Sequence, residues 1–270
     1  MGVAPTIGWK LQREIILLLA WGPAILLQLA HPLVAQGIAD HSAFRTQRHG
    51  RVRRLFGTVD AMLQLSFGTE PQARAVLARI NGIHDRVNGR LSGAAGAFPA
   101  GTPYTAHDPA LLAWVHATLL DMNLRVYERY VGRLSVEEKD RYCAEASAIE
   151  VPLGIPAGRL PRSFGELGRH MDAMLSSATI TVTDNARMLA RDVLFPPAPR
   201  LAAPVLSLVR LQTVGLLPPR IREEYGLPWS TRRERLLGVS TGLARTVLRV
   251  TPPIVRHWPA ARRAQRPLAR

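Results

Sequence analysis

Cysteine is nearly absent: the chain of 270 residues has one, Cys143. A single thiol closes no intramolecular disulfide, so nothing calls for an oxidising compartment. No Cys-x-x-Cys-His is present either, so any haem would be held without thioether bonds. Lysine is almost as scarce, with only Lys10 and Lys139 among the 35 basic residues; the rest are arginine. Long apolar runs are missing too. The segment Ile15–Leu27 has 13 residues without a polar side chain, between Glu14 and Gln28. A spanning helix needs roughly 20. Stretching the run to Ala39 crosses Gln28, His31, Gln36 and two prolines, Pro23 and Pro32, and no Ala-x-Ala cleavage pattern follows. A buried core helix is therefore the expectation, with a membrane-spanning or membrane-dipping helix as the alternative. Period-2 alternation and internal repeats are lacking. So are a Gly-x-Ser-x-Gly elbow, a Walker loop, a dinucleotide fingerprint and His-Glu-x-x-His, which removes the sequence signatures of serine hydrolases, nucleotide enzymes and zinc proteases.

Acidic residues are few: 20, against 35 basic ones, leave a formal charge of +15. The excess is uneven. From Ser230 to Arg270 there are ten arginines and one acid, Glu234, and Arg45, Arg48, Arg51, Arg53 and Arg54 fall in a stretch with no acid between Asp40 and Asp60. Such patches favour anionic partners: lipid headgroups, nucleic acid or an anionic cofactor. The tail has Trp258 but no regular interleaving of aromatics, so nucleic acid rests on charge alone and is not expected.

Helical periodicity dominates. Thr69 and Gln72 form a candidate capping box ahead of a stripe of Ala73, Val76, Leu77, Ile80, Ile83, His84 and Val87, with Gly89 past its end. Residues 90–105, rich in Gly, Ala and Pro, read as a loop. Asp108 and Pro109 open a helix to about Val131 that buries Leu111, Leu112, Val115, Leu119 and Tyr127. Ser135 with Glu138 and Ser163 with Glu166 are further capping boxes. More helices are expected near 184–194, 201–215 and 231–250, punctuated by Pro196, Pro197, Pro199, Pro218-Pro219 and Pro252-Pro253. The expected class is all-α: one large helical domain over 1–235, then a basic helix and tail over 236–270. In that last helix Leu236, Val239, Leu243, Val247 and Val250 share one side, with Arg232, Arg245 and Arg249 elsewhere. It suits either packing on the core or contact with an anionic membrane surface.

Among eight histidines, His84 and His116 sit on apolar helical stripes. A buried imidazole must satisfy two ring nitrogens, through hydrogen bonds in a core or through a metal or haem iron. Arg54 and Thr58 are spaced i, i+4 and share a helix face, where a guanidinium and a hydroxyl can orient an anion or an oxygen species. His31, Asp40 and His41 bracket an apolar segment, but a spacing of ten is no metal-ligand signature.

Five stretches in order, "LAHPLVAQGIADHS", "RLFGTVDAMLQLSFGT", "INGIHDRVNG", "HDPALLAWVHATLLD" and "LPPRIREEYGLPWS", resemble the latex-clearing-protein and MpaB-type oxygenase family over roughly residues 15 to 235. The resemblance implies an all-helical bundle enclosing non-covalent haem b (iron) that acts with dioxygen on a hydrophobic unsaturated, isoprenoid- or lipid-like substrate. It identifies His84 as the proximal haem ligand, Arg54 and Thr58 as the Arg-x-x-x-Thr pair near the haem, and His116 as a further family histidine and the alternative ligand. Gly57 stands where latex-clearing proteins have a lysine before the threonine, and Asp40 is the nearest acid to their distal glutamate. These departures point away from polymer cleavage and toward the broader branch of the family. The expected protein is a cytoplasmic haem-dependent oxygenase, with peripheral membrane contact as an option. The competing expectation is a non-catalytic helical protein that binds haem or lipid at a membrane surface.

Overall fold

The computed structural model describes residues 6–41 and 48–264, with the side chains of 48–56 outside the description. It is all-α. The helices are α1 (Ile7–Gln12), α2 (Trp21–Leu29), α3 (Pro32–His41), α4 (Arg48–Phe67), α5 (Glu70–His84), α6 (Pro109–Tyr130), α7 (Val136–Ala146), α8 (Phe164–Ser176), α9 (Asp184–Leu194), α10 (Ala203–Leu216), α11 (Pro219–Glu224), α12 (Thr231–Val250), α13 (Pro253–Arg256) and α14 (Pro259–Ala264). Two three-residue strands, β1 (Asn88–Arg90) and β2 (Pro103–Thr105), pair antiparallel inside the stretch that reads as a loop. They are too short for a period-2 signal, and Gly89 faces Tyr104 across the ladder.

Helix α6 is the central post. Asp108 caps it by accepting from the Ala110 N–H at 2.8 Å, and Pro109 opens its first turn. Leu111, Leu112 and Tyr127 are buried, while Val115 and Leu119 are half-buried. Trp114 is fully buried and donates its indole N–H to the Leu27 carbonyl at 3.2 Å, satisfying the polar end of a large apolar ring. The apolar run of the N-terminus packs on this post as a 3₁₀ segment, Ile15–Ala20, followed by α2. Together with α3 these form a pair bent by 102°, and no single helix among the described residues is long and apolar enough to cross a membrane. Gly22 lets α2 approach α10, because a Cβ there would collide with the Thr213 hydroxyl.

The chain ends come together. Glu14 is fully buried, and Arg256 donates to both its oxygens, at 2.5 and 2.9 Å, while His257 Nε2 lies 3.2 Å away. The Trp258 N–H donates to the Arg13 carbonyl, α14 packs on α4, and Ala261 of α14 is buried. At least one arginine of the basic tail is thus an internal countercharge. Helix α12 runs unbroken through position 235.

Candidate functional site

The turn between α2 and α3 shows what an imidazole does at the end of an apolar helix. His31 is 3% exposed, and its Nδ1 accepts from the Leu33 N–H at 3.3 Å, serving as the cap of α3. Its ring packs 5.2 Å from that of Phe98. Burial lowers its pKa to about 4 against a raising effect from Asp108, so the ring is neutral near pH 7. At the penultimate position of α3, Asp40 accepts from the Tyr104 hydroxyl at 2.6 Å and from Gln36 at 2.9 Å. His41 Nε2 lies 2.8 Å from the Asn88 carbonyl. Asp40, His41 and His31 are therefore occupied in joining α3 to the β1–β2 hairpin, and no group of three metal-ligating side chains occurs among the described residues.

His84 is the last residue of α5, which reaches it on a 15-residue helix. Gln72 reaches back to accept from the Thr69 N–H at 2.8 Å, which fixes the start of that helix. The apolar stripe read from the sequence exists, but it is only partly covered. Val76 is buried, Leu77 and Ile80 are half-buried, and Ile83 is 48% exposed. The His84 ring is half-buried and its Nδ1 is buried without a hydrogen-bond partner. Burial lowers its pKa, helped by neighbouring His107 and opposed by Asp85, so a neutral imidazole is held there. His107 packs edge-on to it at 5.7 Å between ring centres, and His107 Nε2 lies 2.7 Å from Asp85 Oδ1. The His84–His107–Asp85 group escaped the sequence reading, although two His-Asp dipeptides, at 84–85 and 107–108, marked where it would form.

His116 sits on α6, half-buried, with Nε2 buried and unpartnered. Burial lowers its pKa to about 4 despite the charge of Glu150. Glu150 itself is spent on the N–H groups of Gly158 and Leu160 and on Arg162. Asn81 of α5 donates to the Pro152 carbonyl at 2.9 Å, tying α5 to the turn that follows Glu150. His170 on α8 also has a buried unpartnered Nε2, and no apolar-stripe argument had singled it out.

Arg54 and Thr58 both lie on α4, one turn apart, as their spacing predicts. The Arg54 side chain falls outside the described residues, and Thr58 is on an exposed stretch. Helices α4 and α5 pack together and are joined through Gly68 and Thr69. Arg54 and His84 lie about 14 and about 15 residues from that connection, near 21–22 Å along each helix at 1.5 Å per residue.

Two open clefts indent the surface elsewhere. One, of about 500 Å³, is lined by residues of α8 and α11 including Asp172 and Arg220. The other, of about 490 Å³, is lined by Glu128, Arg133, Leu134, Lys139 and Arg245. Neither includes His84 or His116. In donor chemistry the α5 terminus does suit an iron porphyrin: a neutral imidazole with an unsatisfied buried nitrogen, beside an apolar stripe left partly bare.

The family model described as ER-bound oxygenase mpaB/B'/Rubber oxygenase, catalytic domain, matches residues 9–250. None of the curated proteins and none of the solved structures compared gives a match.

Proposed function

The chain belongs to the mpaB/rubber oxygenase catalytic-domain family, and we propose that within it this protein is a haem b-dependent oxygenase acting with dioxygen on a hydrophobic unsaturated, isoprenoid- or lipid-like substrate. The observation that carries the reading is His84 Nδ1: buried, without a partner, on an imidazole held neutral at the end of a helix whose apolar face is only partly covered. A structural core histidine ordinarily satisfies both nitrogens.

In this reading His84 holds the iron, and the His107–Asp85 pair fixes the ring wall beside it. Haem b, when bound, supplies the iron redox chemistry that lets dioxygen react with an alkene. Arg54 and Thr58 supply a cation and a hydroxyl on α4, suited to hold a propionate or another anionic oxygen. Ile80 and Ile83 offer an apolar wall to a substrate without polar handles. His116 is the alternative ligand, with an unpartnered buried Nε2 on a different helix.

The test is dioxygen uptake by haemin-reconstituted protein given a soluble isoprenoid alkene. Uptake tied to alkene turnover, and lost in Arg54→Ala/Thr58→Ala while haem remains bound, is the expected result. Haem binding with no uptake on any unsaturated lipid or terpenoid would instead make the protein a haem carrier.

A further inference from the structure

Helix α12 carries two apolar stripes and buries the smaller one. Leu237 is 2% exposed, and Ala244 and Leu248 pack beside it on the core. The other stripe, Leu236, Val239, Leu243, Val247 and Val250, is 51% to 79% exposed. At 3.6 residues per turn its five members fall within an arc of about 80°. The apolar surface continues past the end of the helix, where Ile254 is 66% exposed. An aliphatic band of this length facing water is a contact surface without its partner.

Charge decides which partner. Arg232, Arg235 and Arg249 are exposed on the same helix. The one acid of α12, Glu234, accepts from the Trp229 indole N–H at 2.7 Å. From Ser230 onward the chain holds ten arginines, of which Arg256 is paired with the buried Glu14, against that single acid. A second copy laid on the stripe would bring two such strips together, at an electrostatic cost. An anionic bilayer meets both features: the aliphatic band enters the acyl boundary, while arginine stems lie along it and lift their guanidinium groups to the phosphates.

We propose that the exposed face of α12 is an in-plane docking surface for anionic phospholipid. This goes beyond the oxygenase reading and does not rest on it. The helix lies on the bilayer rather than through it, its 20 residues laying about 30 Å of contact along the surface. An enzyme for a water-insoluble substrate would thereby sit where that substrate dissolves.

Vesicle flotation of the full-length chain tests the proposal. Vesicles of phosphatidylcholine with phosphatidylglycerol are expected to carry the protein up the gradient, and phosphatidylcholine alone to carry far less. Leu243→Glu/Val247→Glu is expected to weaken binding by about tenfold or more, since two aliphatic side chains lose their burial. Both positions face water, so the wild-type melting temperature should be kept. Arg235→Glu/Arg249→Glu leaves the band intact and should cut binding and its salt dependence. Three results overturn the proposal: no binding to anionic vesicles; equal binding by the Leu243→Glu/Val247→Glu protein, which would assign adhesion to arginine alone; or a lipid-free dimer that this substitution dissolves, which would give the face to a second copy.

Discussion

His31 shows how one side chain can carry three consequences. It caps α3 at the 102° bend, stacks near Phe98, and stays neutral because burial lowers its pKa to about 4. In the unfolded chain the ring titrates near 6.5. Between those values the unfolded state binds more protons, so stability rises with pH across the window and falls as pH drops from about 6.5 toward 4. His116 adds to the slope in the same sense. Each can contribute about 3 kcal/mol over that range, at 1.36 kcal/mol per unit. Urea unfolding at pH 7 and pH 4.5 should show the loss, and His31→Asn, which keeps a cap acceptor, should flatten it by about half. An unchanged slope would mean that His31 is charged in the folded protein. The sequence displayed His31 ahead of Pro32 plainly, but whether its ring pointed into a cavity or capped a turn depended on Phe98, 67 positions away. His84 and His116 were legible as imidazoles on apolar stripes. His107 and Asp85 were not, because the residues separating them fold into the short β1–β2 pair, which no periodicity announces.

Helix boundaries were the readable part of the elements. Ser135 and Glu138 exchange the two bonds of a capping box, at 3.2 and 2.9 Å, and Ser135→Ala should cost about 1 kcal/mol in denaturant unfolding. Ser163 caps α8 as its pattern suggests, but Glu166 turns back to the Arg162 N–H, not to Ser163. Which face of a helix turns inward was less readable. Periodicity finds stripes without ranking them, and on α12 the larger stripe stays outside because Leu237 meets Gly215, where α10 has no side chain to keep it away. The contact of α2 with α10 is equally tight. Gly22→Ala should destabilise by about 1–3 kcal/mol through collision with Thr213. Adding Thr213→Ala should return part of that loss, an interaction measurable as a double-mutant cycle.

At the scale of the whole molecule, the ends of the chain form one structure. Glu14 and Arg256 are 242 positions apart and share two hydrogen bonds around a fully buried carboxylate. A charge count cannot tell such an arginine from its solvated neighbours. Arg256→Ala leaves the buried carboxylate with only His257 and the more distant Arg13 Nε, 3.7 Å away, and should cost about 3 kcal/mol. A melting temperature equal to wild type would show that water reaches Glu14. Away from the closed ends and the central α6, helices α4 and α5 carry Arg54, Thr58 and His84, and the apolar stripe of α5 stays only partly covered. The claim on which the rest depends is that His84 holds haem iron, and a haemin titration followed in the visible spectrum tests it most directly. Wild-type protein and His116→Ala should both develop a saturable Soret band, and His84→Ala should not. A full-strength band in His84→Ala, lost instead in His116→Ala, would move the iron to α6 and contradict the account.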